Sequence, residues 1–258
     1  METNESLCRD VAAIRAQSPL VHNITNFVVM NNTANALLAL GASPVMAHAE
    51  EEAGDMARLA GALVINVGTL SSDWVRGMER AMDAAHEAGI PIVYDPVGAG
   101  ATSYRNEVNY RLLSRVAPTI VRGNGSEIMA VAAGFGLGET ATTKGVDSTT
   151  GSAAAVAAAQ ALSEHLHTVV VISGQTDYIV EGNRVLENHY GTPMMSRVTG
   201  MGCTATAVCG AFAAVNRDAA QAAFHAMMLM GQCGERALAA SSGPGSFQVA
   251  FLDALYAY

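Results

Sequence analysis

The run 62-ALVIN-66, followed by 91-PIVYD-95, 118-PTIVR-122 and 168-TVVVIS-173, decides the fold of this chain. Each run is five or six residues dominated by β-branched or aliphatic side chains with no polar alternation, the pattern of a strand buried on both faces. Between them, residues 72–88, 103–115 and 150–166 have the length and the Ala/Leu content of helices. Strand, crossover helix and strand in repetition predict an α/β fold, a mostly parallel central sheet with helices on both faces. Further on, DYIVEG and RVLENH are joined at Gly182-Asn183, which predicts an antiparallel meander at one sheet edge. Two Ala/Met-rich helices follow, over about 203–215 and 218–240. No linker-like stretch divides the chain, so residues 1–258 are read as a single domain.

Composition narrows the class. Half of the residues are hydrophobic and 14% are charged, against roughly 25% charged in ordinary soluble domains. Either an Ala-rich core or a homo-oligomer that buries weakly charged faces accounts for this, and the oligomer is the preferred reading. The formal net charge of −9 and a single lysine, Lys144, exclude a nucleic-acid partner, which needs clustered cations. METNESLCRD contains no apolar signal core, and no uncharged apolar run reaches the length of a membrane span. A cytoplasmic protein is expected. Cys8, Cys203, Cys209 and Cys233 lack zinc-site spacing and read as free thiols.

In open α/β sheets ligands bind beyond the carboxyl ends of the strands. Four such places here carry unusual chemistry: Asn66 to Thr69, Asp95 to Gly100, Arg122 to Asn124 with Glu127, and Ser173-Gly174. The strongest local signal is 198-VTGMGC-203, a glycine turn running into an Ala-rich helix. Such a turn points free N–H groups and the positive helix end at an anion, and a plain structural turn would have the same sequence. There is no GxxxxGK[ST], and the glycines at 134, 136 and 138 have the wrong spacing and context for a dinucleotide fingerprint.

Asp95 and Glu127, each just past a strand, are a candidate pair for Mg²⁺ held through waters and nucleotide oxygens. Their structural alternatives are a turn-capping aspartate and a first-turn helix glutamate. Arg122 is a candidate fixed cation for phosphates, its alternative a surface ion pair. Toward the N-terminus, His22, Asn23, Asn26, Asn31, Asn32 and Asn35 crowd an otherwise apolar stretch. Amides can orient a polar heterocycle, although most of these read as caps and turns. Met46, closing SPVM, offers a soft apolar wall for a ring, as a core methionine would too.

Together SPLVHNITN, TANALLALGASPVM, NVGTL, DPVGAGAT, RGNGSEI, GVD, TGMGC and GPGSF, in this order over residues 18–250, resemble the hydroxyethylthiazole kinases. The resemblance implies a ribokinase-like three-layer fold, with ATP and Mg²⁺ as cosubstrate and cofactor. It implies phosphoryl transfer to the hydroxyl of 4-methyl-5-(2-hydroxyethyl)thiazole, and a homotrimer with sites between subunits. Carried over by motif, Met46 and Gly200 would contact the thiazole with Asn26 nearby, Arg122 and Ser173 would bind ATP, and Asp95 and Glu127 would be the metal-linked acids. Cys203 stands where many ribokinase-like kinases have an aspartate base. A thiol at a helix N-terminus can have a depressed pKa, but phosphoryl transfer needs little from a base, so the resemblance makes Cys203 the catalytic candidate as a residue that positions the substrate hydroxyl and contributes modestly as a base. The rivals are another ribokinase-like alcohol kinase, such as one acting on hydroxymethylpyrimidine phosphate, and a non-catalytic thiazole-binding module. HNITN and SPVM favour the thiazole over the first, and the Arg122, Asp95, Glu127 set speaks against the second.

Overall fold

ALVIN is the centre of the structure, and every side chain of this strand, Ala62–Asn66, is buried. The computed structural model describes residues 2–138 and 148–258, so Lys144 and the GVD segment lie outside the described residues. In chain order the strands are β1 (Leu20–Ile24), β2 (Ser43–Val45), β3 (Ala62–Asn66), β4 (Ile92–Asp95), β5 (Ile120–Asn124), β6 (Val169–Ser173), β7 (Asp177–Glu181) and β8 (Arg184–Asn188). They form one sheet in the order β2-β1-β3-β4-β5-β6-β7-β8. The first six are parallel. The expected hairpin supplies the antiparallel edge, with Glu181 opposite Arg184 across the Gly182-Asn183 turn.

The helices are α1 (Glu2–Gln17), α2 (Met30–Leu40), α3 (Glu50–Leu59), α4 (Ser72–Ala88), α5 (Ser103–Arg115), α6 (Gly125–Gly134), α7 (Ser148–Leu166), α8 (Met201–Val215), α9 (Ala219–Ala239) and α10 (Pro244–Tyr256). The expected helices 72–88 and 103–115 have these very limits because each has a capping signal. Ser71 and Thr102 accept the N–H groups of Trp74 and Arg105, and Gly89 ends α4 in a left-handed turn at φ 67°.

Strand periodicity sorts the core into two layers. Val64 and Val93 face α1, α2, α8, α9 and α10, while Leu63, Ile65 and Tyr94 face α3 to α7. Asn66, Asp95 and Arg122 continue the Val64, Val93 and Ile120 rows, so they point to the α8 side. Helix α8 is apolar around most of its circumference and buried. It packs over β1, β3 and β4, and its N-terminus therefore meets the carboxyl ends of the central strands.

The strand pattern did not reveal β1 or β2. Two polar residues, His22 and Asn23, sit at the heart of β1, and β2 is three residues long with Pro44 in its middle, at home only on an edge. No described helix is long and apolar enough to cross a membrane.

Candidate active site

The chain runs from β1 out to β2 and returns to β3 on the other flank of β1. The loops after β1 and β3 thus diverge, and the crevice between them is the topological switch point where α/β folds bind ligands. Asn26 follows β1, and Asn66 ends β3 beside Asp95 in register.

A hydrogen-bonded chain crosses this crevice. Asn26 Nδ2 donates to Asn66 Oδ1 at 2.9 Å and to Cys203 Sγ at 3.3 Å. Asn66 Nδ2 in turn donates to Asp95 Oδ2 at 2.8 Å, and Thr206 Oγ1, from the second turn of α8, donates to the same oxygen at 2.7 Å. Asn26 has both amide hydrogens engaged and is almost fully buried. Among the described residues none donates to Asp95 Oδ1.

Asp95 is buried, and that burial pushes its carboxyl up to about 6, with the Arg122 charge and the Thr206 and Asn66 bonds acting against the rise and Glu127 adding to it. Glu127 is the N3 residue of α6 and forms a capping box with Asn124. Its Oε1 accepts from Gly98 N at 2.8 Å and its Oε2 from Asn124 N at 2.9 Å. The helix-start reading of Glu127 is therefore real, and the same bonds tie the DPVGAG loop to the end of β5.

Arg122 is 8% exposed, makes no ion pair with any described residue, and leaves Nε buried without a partner. A surface ion pair is ruled out for it. Its Nη1 lies so close to Gly202 that a Cβ there would sit 3.0 Å away, which puts the guanidinium against the first turn of α8. Gly200 caps α8 at φ 84°, a conformation that favours glycine. Arg122, Ser173, Gly174, Gly200 and Gly202 line one cavity of about 930 Å³ that continues past Asp177 to the Met227 face of α9. Ser173 Oγ donates to the Gly123 carbonyl at 3.3 Å. Met46 stands apart from this cavity, half-buried just after β2.

The pKa depression that a helix start can give a thiol is absent at Cys203. Although Cys203 is in the first turn of α8, burial pushes its pKa above the ordinary thiol value and Asp95 adds to the rise; the Asn66, Asn26 and Arg122 groups offset it only in part. Near neutral pH the group is a thiol. His22 and Asn23 are fully buried and so do not face a ligand, while Asn35 and Asn31 bond each other on the exposed side of α2.

Sequence reasoning missed several residues that hold this geometry. Arg105 donates to the Val67, Val97 and Gly68 carbonyls at 2.6–2.8 Å, binding the loops after β3 and β4 into one unit. Asp177 accepts from Gly174 N and Asn188 Nδ2 and shapes the turn after Ser173. Arginine and aspartate outside a strand-end motif carry no local mark of such a role. Position marks Asn66, but Thr206, which donates to the same Asp95 oxygen, lies 140 residues on.

The sheet order with its antiparallel edge defines a ribokinase-like α/β fold, and the buried guanidinium and the glycine turn into α8 give it an anion-binding site at the strand ends. A ribokinase-like protein from Enterococcus faecalis V583 shares the fold at TM-score 0.64 and 14% identity, over 93% of this chain and 87% of that one. Residues 11–258 match the model of the hydroxyethylthiazole kinase family, and the chain belongs to that family. It is 56% identical to a hydroxyethylthiazole kinase of Syntrophus aciditrophicus (strain SB), over 98% of this chain and 93% of the relative. A homologue so named from Leptothrix cholodnii is 55% identical, over 98% and 91%. The solved structure of the hydroxyethylthiazole kinase protein of Pyrococcus horikoshii OT3 superposes at TM-score 0.90 with 43% identity, covering 98% of this chain and 94% of that one.

Proposed function

We propose that this enzyme transfers the γ-phosphoryl group of ATP to the hydroxyl of 4-methyl-5-(2-hydroxyethyl)thiazole, in thiamine biosynthesis or salvage. The observation that carries the reading is Arg122, a buried cation without a carboxylate partner among the described residues, on the wall of a nucleotide-sized cavity beside the N-terminus of α8.

Phosphoryl transfer needs positioning and charge stabilisation more than covalent help. In this reading the phosphates of ATP lie against Arg122 and the N–H groups of the Gly200 to Cys203 turn, where the helix end favours negative charge. Ser173 offers a hydroxyl to the nucleotide from the end of β6. The alcohol enters from the Asn26 side, with Met46 and Gly200 as walls for the ring.

Asp95 and Glu127 fit an outer-sphere Mg²⁺ site. Three of their four carboxylate oxygens already accept protein hydrogen bonds, so an ion would be reached mainly through waters. When bound, Mg²⁺ neutralises charge on the β- and γ-phosphates. A Bacillus subtilis NAD(P)H-hydrate dehydratase crystallised with ATP/Mg²⁺ shares the fold at TM-score 0.60 and 17% identity, over 93% of this chain and 90% of that one. We further propose a cytoplasmic homotrimer with sites between subunits. Phe27 and Val28, 64% and 65% exposed beside Asn26, support a covering subunit there.

The test is ADP release with each acceptor alcohol. Mg²⁺-dependent release driven by the thiazole alcohol supports the reading, and release driven only by a hydroxymethylpyrimidine substrate moves the enzyme to the rival class.

For Cys203 the proposed role is to place the acceptor hydroxyl, with the thiol oriented by Asn26, and to help only modestly as a base. Cys203→Ala is expected to lower kcat about tenfold, less than the roughly 10²–10⁴-fold of a full general base. Alkylation of Cys203 by iodoacetamide should keep accelerating beyond pH 9, because burial raises the thiol pKa. Wild-type turnover in Cys203→Ala at saturating substrate rejects the role.

A further inference from the structure

His22 sits in the middle of β1 with no solvent exposure and takes no part in the charged site above. Its Nε2 is 2.6 Å from the Ala47 carbonyl oxygen. A carbonyl only accepts, so Nε2 carries the ring proton and Nδ1 is left as a bare acceptor. That nitrogen is buried with no described partner. Burial also lowers the ring's pKa, consistent with a neutral imidazole. An aliphatic side chain would fill this strand position without an orphaned acceptor, so what the imidazole contributes is its one bond.

That bond ends on the loop between β2 and α3, which carries Met46. Strand β2 holds the loop weakly, being three half-buried residues at the sheet edge. Two further contacts grip it. The His48 ring lies 4.4 Å from that of Trp74 at an interplanar angle of 31°. Gly77 of α4 packs directly on the His48 carbonyl, where a Cβ has no room. Trp74 in turn lies 4.7 Å from the ring of Phe27, the residue after Asn26. An aromatic run thus joins the loop after β1 to the loop after β2, and no residue of the Met46 to Ala49 loop lines the cavity beside Arg122.

We propose that His22, through Ala47 and together with the Phe27–Trp74–His48 stack, fixes the Met46 loop against the Asn26 loop and so sets affinity for the acceptor alcohol and not for the nucleotide. His22 is a positioning residue, and the inference rests on the reading of Met46 as a wall of the acceptor site. Trp74 is the only tryptophan of the chain, so its fluorescence reports on this junction directly.

The test compares wild type with His22→Leu, His22→Gln and Phe27→Ala, measuring KM for the thiazole alcohol and for ATP separately. Trp74 emission is titrated with the alcohol in the absence of ATP. His22→Leu is expected to raise the alcohol KM about tenfold, or about 1.4 kcal/mol, with the emission titration shifted by the same factor and the ATP KM within about twofold. His22→Gln, whose amide N–H can reach the Nε2 position, should restore the alcohol KM to within about threefold. Phe27→Ala removes a ring that is exposed in the single chain, so, with its oligomeric state matched to wild type by light scattering, it tests the stack even where His22→Leu does not fold; it should raise the alcohol KM about threefold. Unchanged alcohol KM in Phe27→Ala, a parallel rise in both KM values, or glutamine behaving as leucine overturns the proposal. Wild-type protein that neither turns over the thiazole alcohol nor changes Trp74 emission sinks the kinase reading itself, whereas an active wild type with unshifted variants sinks only the positioning role.

Discussion

Arg122→Met is expected to lower kcat/KM for ATP by about 10²–10³ while leaving the protein folded, a loss of the size seen when one preorganised charge-stabilising donor is removed. The guanidinium comes from the β5 row that faces α8, and the tight approach of Gly202 holds it against the helix start. No described carboxylate pairs with it, and its Nε is buried without a partner. A cation desolvated in this way costs folding free energy, while its charge eases the burial of Asp95, so the methionine variant should melt within a few degrees of wild type in the absence of ligand. Arg122→Lys keeps the charge but loses the planar fork, and its activity should fall between the two. Steady-state kinetics and thermal melts with and without ATP make the comparison. Near-wild-type kcat/KM in Arg122→Met would remove the observation on which the functional reading stands.

Asp95→Asn should show the opposite signs in activity and stability. Asparagine can still accept from Asn66 and Thr206 but carries no charge, so turnover with Mg²⁺ and ATP should drop at least about a hundredfold. The native carboxyl is pushed up to about 6 by burial, above its value of roughly 4 in the unfolded chain. Between these values the native state keeps a proton that the unfolded chain has released. Stability associated with Asp95 is therefore full below about pH 4 and lost as pH rises through about 6. Ligand-free wild type should lose on the order of 1–3 kcal/mol across that window, and Asp95→Asn should not. At pH 7.5 the variant should melt a few degrees higher than wild type without ligand, and it should gain less on adding Mg²⁺ and ATP. A variant less stable than wild type at pH 7.5 contradicts this account.

The parts of the fold that could be read directly were those with strong local physics. The strands from β3 to β6 are continuous apolar runs because both faces are covered, and α4 and α5 carry their own caps. The hairpin of β7 and β8 was legible from its Gly-Asn turn. Strands β1 and β2 were not, since His22, Asn23 and Pro44 break the apolar pattern for reasons that appear only when the loops beyond them are seen. The Ala-rich character of α8 marked a helix, but not that it would be buried across the central strands.

The candidate site divides in the same way. Residues at strand ends and in the glycine turn were marked by position and residue type, and the motif set as a whole pointed to the family. A helix start can lower the pKa of a thiol such as Cys203, whereas in the structure burial and the neighbouring Asp95 outweigh that effect. Helix-end electrostatics are local and follow from the chain. Desolvation and the charge of a residue more than a hundred positions away are not.

What the sequence by itself determined is the α/β class, the antiparallel edge, the glycine turn opening α8 and, through its motifs, the kinase family. Each depends on neighbours along the chain: periodicity, caps and turns. Tertiary structure alone decided the linkage of Asn26, Asn66, Asp95, Thr206 and Cys203, the burial of Arg122 without an ion pair among the described residues, and the bond from His22 to the Met46 loop. Those features depend on which strand ends become adjacent and on how completely water is excluded, and ALVIN matters because it sets the sheet on which that adjacency is built.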